Sequence, residues 1–234
     1  MQTDTVIKQR TEVLVNSFVR SVYNWMCIGL ALTGFIAYYV SSSEAMVRLV
    51  FGNSFVFLLL ILAELALVFS ISGMVNRMSA GTSTALFVLY SALNGVTLSF
   101  IFLAYARASI ASTFFICSAT FLGCSIYGWT TKRDLTSWGG FLMMGLIGII
   151  IASLVNMFFR SSSVSMIVSY IGVLVFVGLS AYDTQKLKNM ALTQPADLDG
   201  AVIRKGAILG ALSLYLDFIN LFLLLLRIFG QSRD

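Results

Sequence analysis

Seven transmembrane α-helices are the fold this sequence predicts, and three observations predict it. Hydrophobic residues make up 59% of the 234 residues and charged ones only 11%, against about 25% charged in soluble domains. The apolar residues fall in seven blocks, each close to the ~20 residues that cross a ~30 Å hydrocarbon core at ~1.5 Å per residue. A single proline and the absence of short alternating segments favour helices over a barrel, the other fold that satisfies its backbone polar groups in lipid.

In chain order, residues 1–21 form a polar segment of mixed charge, with Lys8, Arg10 and Arg20 against Asp4 and Glu12. The apolar run that follows is full length and lacks a small-residue cleavage site, so it is expected to remain as the first span. The spans cover about 22–40, 54–75, 84–105, 110–130, 138–159, 164–185 and 206–228, giving a membrane domain over 22–229 and a short tail at 230–234. The longest connector, 186–205, carries Pro195, Asp197 and Asp199 between two basic pairs. It lacks the further oxygen ligands of a calcium loop and reads as a solvated link. Small residues at Gly206 and Gly210, and at Ser91, Gly95 and Ser99, mark faces where helices approach closely.

Lys and Arg divide ten to five between alternate loops, which places the N-terminus in the cytoplasm and the C-terminus outside. These bases sit singly or in pairs at the ends of apolar blocks. The net charge of +5 is therefore a topology signal and not a nucleic-acid surface. Short loops favour a bacterial inner membrane.

There is no histidine, which excludes His-based triads, His general bases and His metal ligands. Cys27, Cys117 and Cys124 lie inside apolar blocks without a CxxC and read as packing residues. No nucleophile elbow is present, nor the Gly-x-Gly-Asp signature of an intramembrane aspartyl protease, so no enzyme is expected.

Three acids lie inside or at the edge of the spans: Glu64 in the second, Asp183 near the cytoplasmic end of the sixth, and Asp217 in the middle of the seventh. A carboxylate at mid-membrane costs about 2.5–3.5 kcal/mol on insertion scales, so Asp217 should face protein or water and have a partner. Asp183 is the candidate, provided the sixth helix tilts or runs on past its apolar stretch. Carboxyl groups about 3 Å apart cannot both ionise cheaply and share one proton, which makes such a pair a pH sensor. Arg77, at the end of the second span, is positioned to balance the remaining charge on Asp183. With both protons gone, the pair would attract a cation such as calcium, supplemented by oxygen ligands including Tyr182 and Asn220. Arg227 reads as a snorkelling anchor at the outer interface.

Several phrases together resemble the Bax inhibitor-1 family, also called the transmembrane Bax inhibitor motif family. They are Val22-Tyr23-Asn24-Trp25-Met26, Tyr90-Ser91-Ala92-Leu93-Asn94-Gly95, Thr131-Lys132-Arg133-Asp134-Leu135, Ala181-Tyr182-Asp183-Thr184-Gln185 and Leu214-Tyr215-Leu216-Asp217-Phe218-Ile219-Asn220. The resemblance covers almost the whole chain. It implies six helices around a central seventh, and a pH-dependent calcium leak sensed by a di-aspartyl pair at Asp183 and Asp217. It implies also that Arg77 pairs with Asp183 in the closed state and that Glu64 matches a second-helix glutamate. The alternative it implies is an interaction protein that restrains another membrane protein, as some bacterial relatives do with a membrane-anchored protease.

Overall fold

The computed structural model describes residues 2–193 and 199–233. Nine α-helices follow one another among them: α1 (Gln2–Ser41), α2 (Glu44–Phe51), α3 (Ser54–Met74), α4 (Ala80–Leu98), α5 (Phe100–Ala104), α6 (Arg107–Thr130), α7 (Thr136–Phe159), α8 (Ser162–Thr193) and α9 (Gly200–Phe229). A single 3-10 turn, Val75–Arg77, follows α3. Seven segments are long and apolar enough to cross a membrane, and they correspond one to one with the seven predicted blocks. This is an all-helical membrane protein.

Helix ends follow capping chemistry more closely than hydropathy. Asn53 accepts from Phe55 N at 2.9 Å before α3, and Ser79 accepts from Thr82 N at 3.0 Å before α4; each occupies an N–H that the helix itself leaves free. Helix α7 stops at Arg160, whose φ of 52° is the left-handed region. Asn156 holds that turn by accepting from Ser161 N and donating to Ser161 O, both at 3.0 Å.

Four boundaries differ from the sequence reading. Helix α1 begins at Gln2, so the polar N-terminal segment is helical. Residues 41–53, expected as a loop, contain α2, whose Glu44 and Arg48 pair one turn apart at 2.6 Å. The third block breaks at Ser99, where α4 gives way to α5. Helix α8 runs to Thr193 and α9 starts at Gly200. The long connector therefore shrinks to a few residues, of which Pro195 and Asp197 lie outside the described part.

The chain divides into two compact units, Met1–Ala104 with Met190–Tyr215, and Tyr105–Asn189 with Leu216–Asp234. In the first, α1 and α4 approach closely along the predicted small-residue stripe. A Cβ on Gly95 would lie 2.7 Å from the backbone oxygen of Thr33, so only glycine fits there. Arg204, near the start of α9, donates to Thr84 Oγ1 at 3.2 Å and lies 5.7 Å from the Trp25 ring.

In the second unit, the tail is fastened to the start of α6. Tyr105 and Ser232 form an antiparallel bridge, Ala106 N donates to Gln231 O at 3.0 Å, and Gln231 N donates to Ser109 Oγ at 2.9 Å. Arg227 donates to Ser165 Oγ at 3.3 Å. Burial is uneven among the spans. In the most apolar stretch of α9, 67% of the residues are buried, against 6% in α3 and in α7. Those two helices bury almost none of their residues fully, as lipid-facing helices do.

Candidate functional site

Asp217 is 6% exposed, and its Oδ2 has no hydrogen-bond partner among the described residues. A buried carboxyl oxygen left in that condition is costly, and native structures hold few. The flanking residues explain why it points inward. Phe218 meets the rings of Phe121 and Phe114 edge-on, with centroids 5.5 and 5.6 Å apart, and its backbone oxygen accepts from Cys117 Sγ at 3.7 Å. These contacts fix the face that this part of α9 turns towards α6.

Along that α6 face, Thr113, Cys117, Phe121 and Ser125 recur every four residues and are all buried, the spacing of a single helix face. Further along, a Cβ on Gly128 would lie 2.2 Å from the backbone oxygen of Ala181, so α6 and α8 touch backbone to backbone two residues before Asp183. Asp183 then lies within direct electrostatic reach of Asp217. The ten helical residues of α8 beyond Asp183 place it well inside the helix instead of at its end. Lys186, one turn on, is the cation that acts on Asp183.

Of the four buried side-chain polar atoms without a hydrogen-bond partner among the described residues, three belong to this unit: Thr113 Oγ1, Ser125 Oγ and Asp217 Oδ2. Orphaned polar atoms are where water or an ion gains most by entering. No cluster of three or more His, Cys, Asp or Glu side chains occurs among the described residues. Two carboxyl groups alone are fewer oxygen ligands than the six to eight that a resident calcium ion takes.

Of the remaining candidates, Asn220 and Tyr182 belong to this unit. Asn220 donates to Leu216 O at 2.7 Å and so is engaged by its own helix. Tyr182 lines a cavity with Arg133 and Trp138. Glu64 and Arg77 belong to the first unit. There Glu64 accepts from the Thr97 hydroxyl, and Tyr90 and Tyr215 lie within its electrostatic reach.

Two residues that the sequence offers only within the resembling phrases, with no role assigned, have clear structural work. Tyr215 is fully buried, shares a 2.6 Å hydrogen bond with the Thr33 hydroxyl, and meets Phe87 and Tyr90 edge-on. Gln185 accepts from Leu135 N and donates to Arg133 O, each at 2.8 Å, clamping the α6–α7 loop onto α8. A tyrosine or glutamine in an apolar block needs a polar partner, and that need is the signal that could have found both.

A sequence profile described as Inhibitor of apoptosis-promoting Bax1 matches residues 15–234. The chain belongs to the Bax inhibitor-1 family. It is 52% identical to the inner membrane protein YbhL of Escherichia coli K12 over 232 residues, covering 99% of this chain and 98% of that one. An uncharacterised protein of Borreliella burgdorferi is 48% identical, covering 97% of each chain. An uncharacterised membrane protein of Streptococcus pyogenes serotype M6 is 38% identical, covering 98% of this chain and 99% of its own. No enzyme name occurs among these relatives.

Proposed function

We propose that the protein is a pH-sensitive calcium-leak channel of the bacterial inner membrane, in which Asp183 and Asp217 share a proton and thereby control the contact between α8 and α9. The observation that carries this reading is the orphaned oxygen of Asp217, buried in a membrane helix with a second carboxyl group in electrostatic reach. With the proton present the pair bears one charge and one hydrogen bond. Without it, two anions repel each other and attract a divalent cation. Either change resets how firmly α9 is held. The name of the E. coli relative supports the inner membrane, and the ten-to-five division of bases supports a cytoplasmic N-terminus and an external C-terminus. Arg77 serves in this reading as the closed-state counter-charge to Asp183.

The test is calcium flux in proteoliposomes across a pH series for the native protein and for Asp183→Asn, Asp217→Asn and Arg77→Ala. The proposal expects a pH-dependent native flux whose dependence flattens in both Asn variants and shifts in Arg77→Ala. Identical profiles in all four proteins would overturn it. A native protein that passes no calcium alone, yet alters a co-reconstituted membrane protein, would support a modulator role instead.

A further inference from the structure

The α6–α7 loop, the start of α7 and the facing surface of α8 enclose a cavity of about 300 Å³ that neither Asp183 nor Asp217 lines. It has roughly ten times the volume a water molecule occupies in the liquid, at ~30 Å³ each. Leu142, Gly178 and Tyr182 line it together with Tyr127, Trp138 and Arg133, whose exposure marks its mouth.

The site is shaped by specific contacts. A Cβ on Gly139 would lie 2.7 Å from the Tyr182 ring, so α7 carries glycine where the tyrosine lies against it. The Gln185 clamp fixes the backbone of Arg133 and Leu135. That fixes the base of the Arg133 side chain, whose guanidinium makes no hydrogen bond or ion pair among the described residues. Lys188, by contrast, is committed to Trp129: its Nζ donates to the backbone oxygen at 2.6 Å and lies 5.5 Å from the ring centroid.

The surroundings identify the occupant's class. Trp138 and Tyr127 are 58% and 49% exposed, which is where amphipathic rings sit at a membrane–water boundary. Helix α7 extends from this mouth as one of the two most lipid-facing spans, with Phe141 and Met144 outward. The positive end of the α7 macrodipole and the adjoining Lys132 add to the charge of Arg133. One acid also lines the cavity. Asp134 Oδ1 accepts from Thr136 N at 2.9 Å, and its bonds to Thr136 hold its carboxyl below the usual carboxylate range. It therefore stays anionic, with its oxygen directed at the first turn of α7.

We propose that this cavity binds the headgroup of an anionic phospholipid, with the phosphodiester on Arg133, the headgroup beside Tyr182 and the acyl chains along α7. Arg supplies the planar fork that matches phosphate oxygens. A zwitterionic lipid would bring its ammonium against Arg133 and Lys132, so net anionic charge is what the site selects.

Native mass spectrometry of the full-length protein in detergent tests this, with phosphatidylglycerol, phosphatidylethanolamine or inorganic phosphate added separately. The native protein should retain phosphatidylglycerol at about fivefold lower concentration than phosphatidylethanolamine, the effect of about one basic side chain at a membrane surface. Arg133→Gln should abolish the preference. Asp134→Asn keeps a side-chain oxygen able to accept from Thr136 N and should strengthen it, a gain that misfolding could not produce. Equal retention of the two lipids by the native protein, an unchanged preference in Arg133→Gln, or binding of inorganic phosphate as tight as that of the lipid would each overturn the proposal.

Discussion

Glu64 and Asp217 are both acids on apolar helices, and they are accommodated in opposite ways. Glu64 accepts a hydrogen bond from the Thr97 hydroxyl inside the first unit, with Tyr90 and Tyr215 within its electrostatic reach. Asp217 keeps an oxygen with no hydrogen-bond partner among the described residues, and the charge acting on it is that of another carboxyl group. A buried acid with a hydroxyl donor is a structural tie that holds two helices together. A buried acid opposite another acid is unstable in one of its protonation states, which is what a switch requires.

That contrast predicts which substitutions change function and which change stability, and the largest effect falls on function. Asp217→Asn should remove the pH dependence of flux while changing thermal stability by less than about 1 kcal/mol, because no hydrogen bond of Oδ2 is lost. A large loss of stability with an intact pH profile would reverse the comparison. Next, Tyr215→Ala should destabilise by about 3–5 kcal/mol, the range for removing a buried aromatic ring. Tyr215→Phe, which loses only the Thr33 contact, should cost about 1 kcal/mol. Denaturation in detergent measures both, and neither should move the midpoint of the flux–pH profile. Glu64→Gln retains an acceptor for Thr97 and should cost under about 1 kcal/mol with the pH profile preserved. The smallest effect belongs to a site outside both acids: Arg160→Gly, which relieves a left-handed residue after α7, should gain about 0.5–1 kcal/mol.

Acidification separates a third carboxyl from these two. The bonds to Thr136 hold the Asp134 carboxyl below its ordinary range. Its stabilisation of the α7 start is thus present at neutral pH and is lost as pH falls through its lowered folded value. Asp134→Asn should erase that acid-range component and leave any neutral-range change in flux intact.

The seven spans were legible because lipid demands long apolar runs, and the small-residue stripe at Ser91, Gly95 and Ser99 was legible because close backbones demand small side chains. Helix ends were less so. Hydropathy reports where lipid stops, not where the helix stops, and α8 continues for eight residues past the expected 185. Its extension still carries a signal: Leu187 and Ala191 recur four apart and are buried. Helix α2 was announced only by the Glu44–Arg48 spacing. The depth of Asp183 relative to Asp217 depended on that α8 extension and on the Gly128–Ala181 approach, neither of which hydropathy encodes. Least legible were partners far apart in sequence, such as Thr33 and Tyr215, separated by 182 residues. The sequence shows that such a tyrosine needs a partner without showing which one.

Infrared difference spectroscopy of the protonated-carboxyl carbonyl stretch, recorded across pH on the reconstituted protein, addresses the shared proton most directly. A single proton held jointly by Asp183 and Asp217 predicts a band that titrates with the flux and disappears in Asp183→Asn and Asp217→Asn alike. A band that survives either substitution unchanged, or titrates in a pH range where flux is constant, would contradict it.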